Sequence, residues 1–169
     1  KISNTKNIFK ACDILPDNQC KEIIEKCNFT ANENGNKWIN KTQYPLLIKK
    51  LEEMTKVESR FYENINAIQY KSKNNHGPFY DAYDVNSENS KQFIERLGQR
   101  FKTIVISLSD TIFYNFNKIK TEVEMKKGTL ILYDNVLNSR QRDESMIHSI
   151  TNNLDNYFLQ VLYPGRSFS

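Results

Sequence analysis

KTIVISLS, residues 102–109, places four β-branched side chains in a row, Thr103 to Ile106. Such residues are stiff at χ1 and pack well on a pleated surface, so this is the chain's most strand-like stretch. Short strand-like segments follow it: DTIFYNF (110–116), IKTEVEM (119–125), GTLILYD (128–134), SMIHSI (145–150) and NYFLQVLYP (156–164). Turn signals at Asn117-Lys118, Lys127-Gly128 and Asp155-Asn156 separate them. Upstream, INAIQY (65–70) and YDAYDV (80–85) alternate with period two, and SKQFIERLGQRF (90–101) reads as a loop leading into a short helix or straight into the strand.

The N-terminal third has a different period. PDNQCKEIIEKCN (16–28) starts with helix-initiating Pro16 and Asp17 and carries Ile23, Ile24 and Cys27 on one face. YPLLIKKLEEMTKV (44–57) has Pro45 in its first turn and Leu46, Leu47, Leu51 and Met54 spaced for burial. IFKACDIL (8–15) reads as a short strand, and ANENGNKWIN (31–40) as a polar loop. Helices first and then seven or eight short strands predict an α+β fold, a curled antiparallel sheet of jelly-roll type with supporting N-terminal helices. The 169 residues are expected to form one domain, 1–169.

Charge narrows the partners. The 24 basic and 20 acidic residues are interspersed, and a net charge of +4 is too mild for a nucleic-acid footprint. No apolar stretch reaches the length of a membrane span. Three cysteines, Cys12, Cys20 and Cys27, fit no zinc spacing. The sequons at Asn28 and Asn40 arise easily by chance in an Asn-rich chain.

Chemistry is concentrated in HGPFYDAYD (76–84) and around His148, the only histidine besides His76. Two histidines and one carboxylate on one face make an Fe(II) site with open positions. Asp81 and His148 lie on separate strand-like segments, a suggestive pair without specificity by itself.

Six segments in order resemble the prolyl 4-hydroxylase branch of the 2-oxoglutarate- and Fe(II)-dependent dioxygenases. ILPDNQCKEIIEKC is similar to the opening strand and helix. ENINAIQYKSKNNHGPFYDAYD resembles the approach to the His-x-Asp motif, with Glu63, Gln69 and Tyr70 matching. GQRFKTIVISLSD, with Arg100, Thr103, Leu108 and Asp110, resembles the central strand. Thr111 and Phe113 resemble a Thr-x-Phe, MKKGTLILYDN a Pro-Lys-Lys-Gly strand, and RDESMIHSI the strand of the distal histidine.

The resemblance implies a double-stranded β-helix, Fe(II) and 2-oxoglutarate as cofactors, and a peptide substrate or partner. It implies Asp81 and His148 as metal ligands, and it leaves Phe79 where the proximal histidine belongs. His76, three residues earlier, is the one candidate to replace that ligand. The cation that should grip the far carboxylate of 2-oxoglutarate is also missing. LDNYFLQVLY (154–163) puts Asn156, Tyr157 or Phe158 there, and Arg166 comes too late. Tyr70, Arg100 and Tyr157 are the remaining candidates for holding the cosubstrate, and Tyr80 and Tyr83 for a substrate groove.

Two functions follow as expectations. The favoured one is a catalytically degenerate member that binds a peptide or protein, with Tyr62, Tyr80, Tyr83, Tyr114 and Phe116 as aromatic surface. In that case an Asp81–His148 hydrogen bond replaces the metal, and Phe79 with Tyr157 or Phe158 fills the cavity. The alternative is an active peptidyl hydroxylase with a metal held by His76, Asp81 and His148.

Overall fold

The computed structural model describes residues 8–29, 34–71, 75–109, 111–137, 140–152 and 154–164. Asp110 and Arg166, used in the sequence reading, lie outside them.

In chain order the described elements are β1 (Ile8–Ala11), α1 (Asp17–Cys27), β2 (Gly35–Ile39), α2 (Pro45–Thr55), β3 (Ile65–Tyr70), β4 (Asn75–Phe79), α3 (Glu88–Leu97), β5 (Arg100–Ser107), β6 (Ile112–Phe116), β7 (Thr121–Met125), β8 (Leu130–Asp134), β9 (His148–Asn152) and β10 (Asn156–Pro164). The strands form two antiparallel sheets. The larger has the order β1-β8-β5-β10-β3-β2, and the smaller β4-β9-β6-β7. This is the expected α+β double-sheet jelly roll.

The inner strands of the large sheet serve two cores, because side chains alternate across it. Ile104 and Ile106 of β5, Leu130 of β8, and Leu159 and Val161 of β10 pack outward against Ile23 and Cys27 of α1 and Leu47, Ile48 and Leu51 of α2. Val105, Ile131, Tyr133 and Phe158 point the other way, into a core shared with Tyr114, Phe116 and Ile150 of the small sheet. The KTIVISLS stretch is central because both of its faces are buried.

Three expectations change. The supposed polar loop 31–40 contains β2, which pairs with β3 from Gly35↔Gln69 to Ile39↔Ile65. Its side chains are mostly exposed because it is an edge strand, so no apolar alternation marks it. YDAYDV is a loop rather than a strand: β4 ends at Phe79. Leu46 is 79% exposed, and Ile48 takes its place in the buried face of α2, adjacent to Leu47 and Leu51.

Gly128 joins the two layers. Its φ is +78°, and a Cβ there would lie 2.7 Å from the Leu15 carbonyl oxygen. The Ile14 amide donates to the Gly128 carbonyl at 2.8 Å, tying the start of the chain to the turn before β8.

Truncating Leu159 to alanine should cost about 2–5 kcal/mol in urea unfolding, because the side chain is fully buried between β10 and the helices. Leu46→Ala, at the exposed position, should change stability by no more than about 0.5 kcal/mol.

Candidate functional site

A cavity of ≈ 380 Å³ is lined by residues of both sheets. Its wall includes Asn66, Ile68 and Tyr70 of β3, Phe158 and Gln160 of β10, His148 and Ile150 of β9, and Tyr114 of β6. Phe79, Tyr80 and Asp81 close one side, and Gly35 and Asn36 of β2 stand at another. The space is open, so the expectation that Phe79 with Tyr157 or Phe158 fills it is not met.

Asp81 sits in the loop after β4. That loop is held by Gln99, whose buried amide accepts from the Tyr83 N–H at 2.9 Å and donates to the Tyr83 carbonyl at 2.8 Å. Gln99 thereby acts as a substitute strand neighbour. Asp81 Oδ2 accepts from Thr103 Oγ1 at 2.7 Å and from the Tyr133 hydroxyl at 2.6 Å. Oδ1 accepts from Gln160 Nε2 at 3.3 Å. The carboxylate is thus held by three neutral donors, from β5, β8 and β10. Asn135 supports the first of these by donating to Thr103 Oγ1 at 2.7 Å.

His148 lies opposite, its side chain only 2% exposed. Nδ1 lies 3.0 Å from the Met146 carbonyl, which can only accept, so Nδ1 is the donor. In the neutral ring the Nε2 lone pair then faces Asp81 Oδ1 across 3.8 Å, too far for a hydrogen bond. The expected direct Asp81–His148 hydrogen bond is therefore not formed.

Tyrosines near this pair hold their protons tightly. Burial, reinforced by the Asp81 charge, raises the Tyr70 hydroxyl to about 12 and pushes Tyr114 and Tyr133 well above the ordinary tyrosine value. Tyr133 therefore stays a donor to the carboxylate.

The other sequence candidates disperse. His76 pairs in register with Ile150, while Phe79 pairs with His148. Two residues of β4, Gly77 and Pro78, stand opposite one of β9, Ser149, a bulge made possible at Gly77, whose φ is +116° and where a Cβ would sit 3.0 Å from the His148 carbonyl oxygen. The His76 ring stacks flat on Tyr70 at 3.6 Å. It does not join Asp81 and His148, and no group of three metal-capable side chains occurs among the described residues. Phe79 is 38% exposed, and its ring lies 6.2 Å from that of His148.

Tyr157 is on the wrong face of β10 for a cosubstrate role. It packs with the helix-side core, its ring 5.7 Å from Phe29, and its hydroxyl accepts from Gln69 at 3.4 Å. The neighbouring positions Phe158 and Gln160 are the ones that face the cavity, as period two requires. Asn156 is fully buried, donating to the Leu154 carbonyl at 3.0 Å and accepting from Ser109 at 3.1 Å. Arg100 is engaged elsewhere, bidentate on Glu63 at 2.9 and 3.2 Å and over the Tyr83 ring at 4.8 Å. Of the two groove candidates, Tyr80 lines the cavity, with the Arg142 guanidinium 3.9 Å from its ring centroid. Tyr83 instead stacks on Phe93 at 5.8 Å, outside the lining. Tyr62, Tyr114 and Phe116 are core residues.

Sequence reasoning missed Gln160, Tyr133 and Asn66. Asn66 and Gln160 each stand between two apolar neighbours, and that interruption was the available signal; Tyr133, beside Asp134, carried none.

Tyr133→Phe should lower stability by about 1–3 kcal/mol in chemical denaturation, since it removes one of three donors to a buried carboxylate. Burial lowers the His76 pKa below 6.5 despite opposing hydrogen bonds. The unfolded chain therefore binds this proton more readily. Its contribution is present above the unfolded pKa and is lost as pH falls through the folded one. His76→Gln should flatten the stability profile over that window, as read by melting temperature.

No protein-family model and no curated protein sequence matches this chain. Solved structures do. The viral collagen prolyl hydroxylase of Paramecium bursaria Chlorella virus-1, in its 2OG complex, superposes with a TM-score of 0.74 at 17% identity, covering 96% of this chain and 97% of that one. A truncated form of the same viral enzyme gives 0.73 at 18% identity over 95% and 90% of the two chains. A Pseudomonas putida prolyl-4-hydroxylase gives 0.62 at 12% identity over 96% and 95%. At these identities the likeness concerns the fold alone, and the chain has the prolyl hydroxylase-like dioxygenase fold along nearly its whole length.

Proposed function

We propose that this chain is a non-catalytic binding module built on the prolyl hydroxylase-like fold, with a peptide or protein segment as its partner. The carrying observation is the cavity lining. It offers two metal-capable side chains, Asp81 and His148, and no lysine or arginine among the described residues that line it. The Fe(II) sites of such oxygenases use three protein ligands, and a dicarboxylate cosubstrate calls for a cationic partner. The residues present do not fit the Fe(II) and 2-oxoglutarate pair.

Binding is favoured by what the cavity retains. It is open, and it is walled by the rings of Tyr70, Phe79, Tyr80, Tyr114 and Phe158. Aromatic walls with a few fixed polar groups are the usual make-up of a recognition pocket. Gly35 and Asn36 put the edge strand β2 at its margin. An extended segment can pair with such an edge while sending a side chain inward.

One observation favours a second reading. The His148 Nε2 lone pair faces Asp81 Oδ1 without a hydrogen bond, and Nδ1 is anchored on a backbone carbonyl as in metal-binding histidines. A weak two-donor metal site would have this geometry.

Thermal-shift titration of metal-stripped protein separates the two readings, since a ligand of the native state raises the melting temperature by mass action. The expected result is no shift with millimolar Mn(II), alone or with 2-oxoglutarate. A shift with metal that 2-oxoglutarate enlarges would overturn the proposal. Phe79→His, which adds a third donor opposite His148, should create a Mn(II)-dependent rise in the melting temperature.

A further inference from the structure

The charge and hydrogen-bonding pattern of the cavity specify what it takes. Asp81 brings a formal negative charge, and Thr103, Tyr133 and Gln160 solvate it without neutralising it. Among the described residues the basic groups around it are engaged elsewhere, Arg100 with Glu63, Lys71 with Asp155, Arg142 with Glu144 and the Tyr80 ring, and Lys118 beside the Tyr80 hydroxyl. With its ring neutral, His148 presents Nε2 as an acceptor 3.8 Å from Asp81 Oδ1, and the one described donor to that oxygen is Gln160 Nε2 at 3.3 Å. Two facing acceptors beside an unneutralised carboxylate call for a positively charged donor.

We propose that the cavity is a receptor for a primary ammonium group, carried by a lysine side chain or by a small free amine. The inference rests on the non-catalytic binding reading above and names the ligand chemistry of the same site. An ammonium nitrogen presents three donors from one atom, and at about 2.8 Å from each acceptor it spans this gap. Its alkyl stem would lie among Tyr70, Tyr114 and Phe158, whose rings supply apolar contact and a cation-attracting face. Tyr70 and Tyr114 keep their hydroxyls neutral, so they add no competing charge. The amides of Asn66 and Gln160 add polar contacts along the wall. A dicarboxylate in the same place would meet Asp81 with no lysine or arginine among the described lining residues to offset it.

The test uses the full chain, stripped of metal and held in chelator. n-Butylammonium chloride and Nα-acetyl-lysine N-methylamide are titrated by calorimetry and thermal shift. The N-methylamide of Nα-acetyl-2-aminoheptanoic acid serves as the uncharged isostere, and sodium chloride matches the ionic strength. Both ammonium probes should bind and raise the melting temperature, while the isostere and the salt should not. Tighter binding of the lysine derivative would assign the group to a peptide, and equal binding to a free amine. Asp81→Asn should weaken either probe about tenfold or more. Because that variant disturbs three hydrogen bonds, Gln160→Lys provides a second check. It tethers an ammonium beside Asp81 and should abolish the response to added amine while the protein stays folded. Equal response to the isostere, no response to either probe, or an undiminished response in folded Gln160→Lys would overturn the proposal. A Mn(II) response enlarged by 2-oxoglutarate would instead sink the non-catalytic reading. Loss of the amine response with no metal response would sink this inference alone.

Discussion

One carboxylate holds the open end of this protein together. Asp81 follows a strand of the small sheet, yet its hydrogen bonds come from Thr103, Tyr133 and Gln160 on three strands of the large one. An isolated buried charge is too costly to persist, so these donors are a condition of the geometry. Charge-assisted hydrogen bonds are roughly twice as strong as neutral ones, which makes the cluster an effective clasp between the sheets. Because every donor is neutral, the clasp leaves its negative charge in place. The electrostatic character of the cavity is therefore a consequence of how the sheets are joined.

Much of the fold was legible in the sequence. β-Branched density identified β5, period two in INAIQY located β3, and the turn signal at Asp155-Asn156 set off β10. The helical spacing of Ile23 with Cys27 and Leu47 with Leu51 identified the layer that covers the large sheet. β2 was missed because an edge strand need bury neither face. Trp38, at 55% exposure, looks like a loop residue in such a strand.

The site was less legible, and the reasons are local. Asp81 and His148 were found because their chemistry is distinctive, and the structure places both in one cavity wall. Tyr157 was assigned inward because sequence distance was counted without strand phase. A shift of one residue moves a side chain to the opposite face, and Phe158 and Gln160 occupy the inner one. Arg100 looked available until Glu63, 37 positions away, supplied a bidentate partner. His76 depended on a bulge at Gly77 that no periodicity reveals, and the bulge leads it to stack on Tyr70. Pairings made across the fold decide such cases, and a linear reading has no access to them.

The strand order has a consequence for assembly. β10 is the last described strand in the chain, yet it lies in the interior of the large sheet, bonded to β5 on one side and β3 on the other. During synthesis β3 and β5 emerge first and have no direct ladder between them. The large sheet remains two separate pieces until β10 arrives to bridge them. β1, the first described strand, likewise waits for β8. Such long-range closures make folding slow relative to a protein of local contacts. The apolar faces of the two pieces stay open to other contacts until β10 inserts between them.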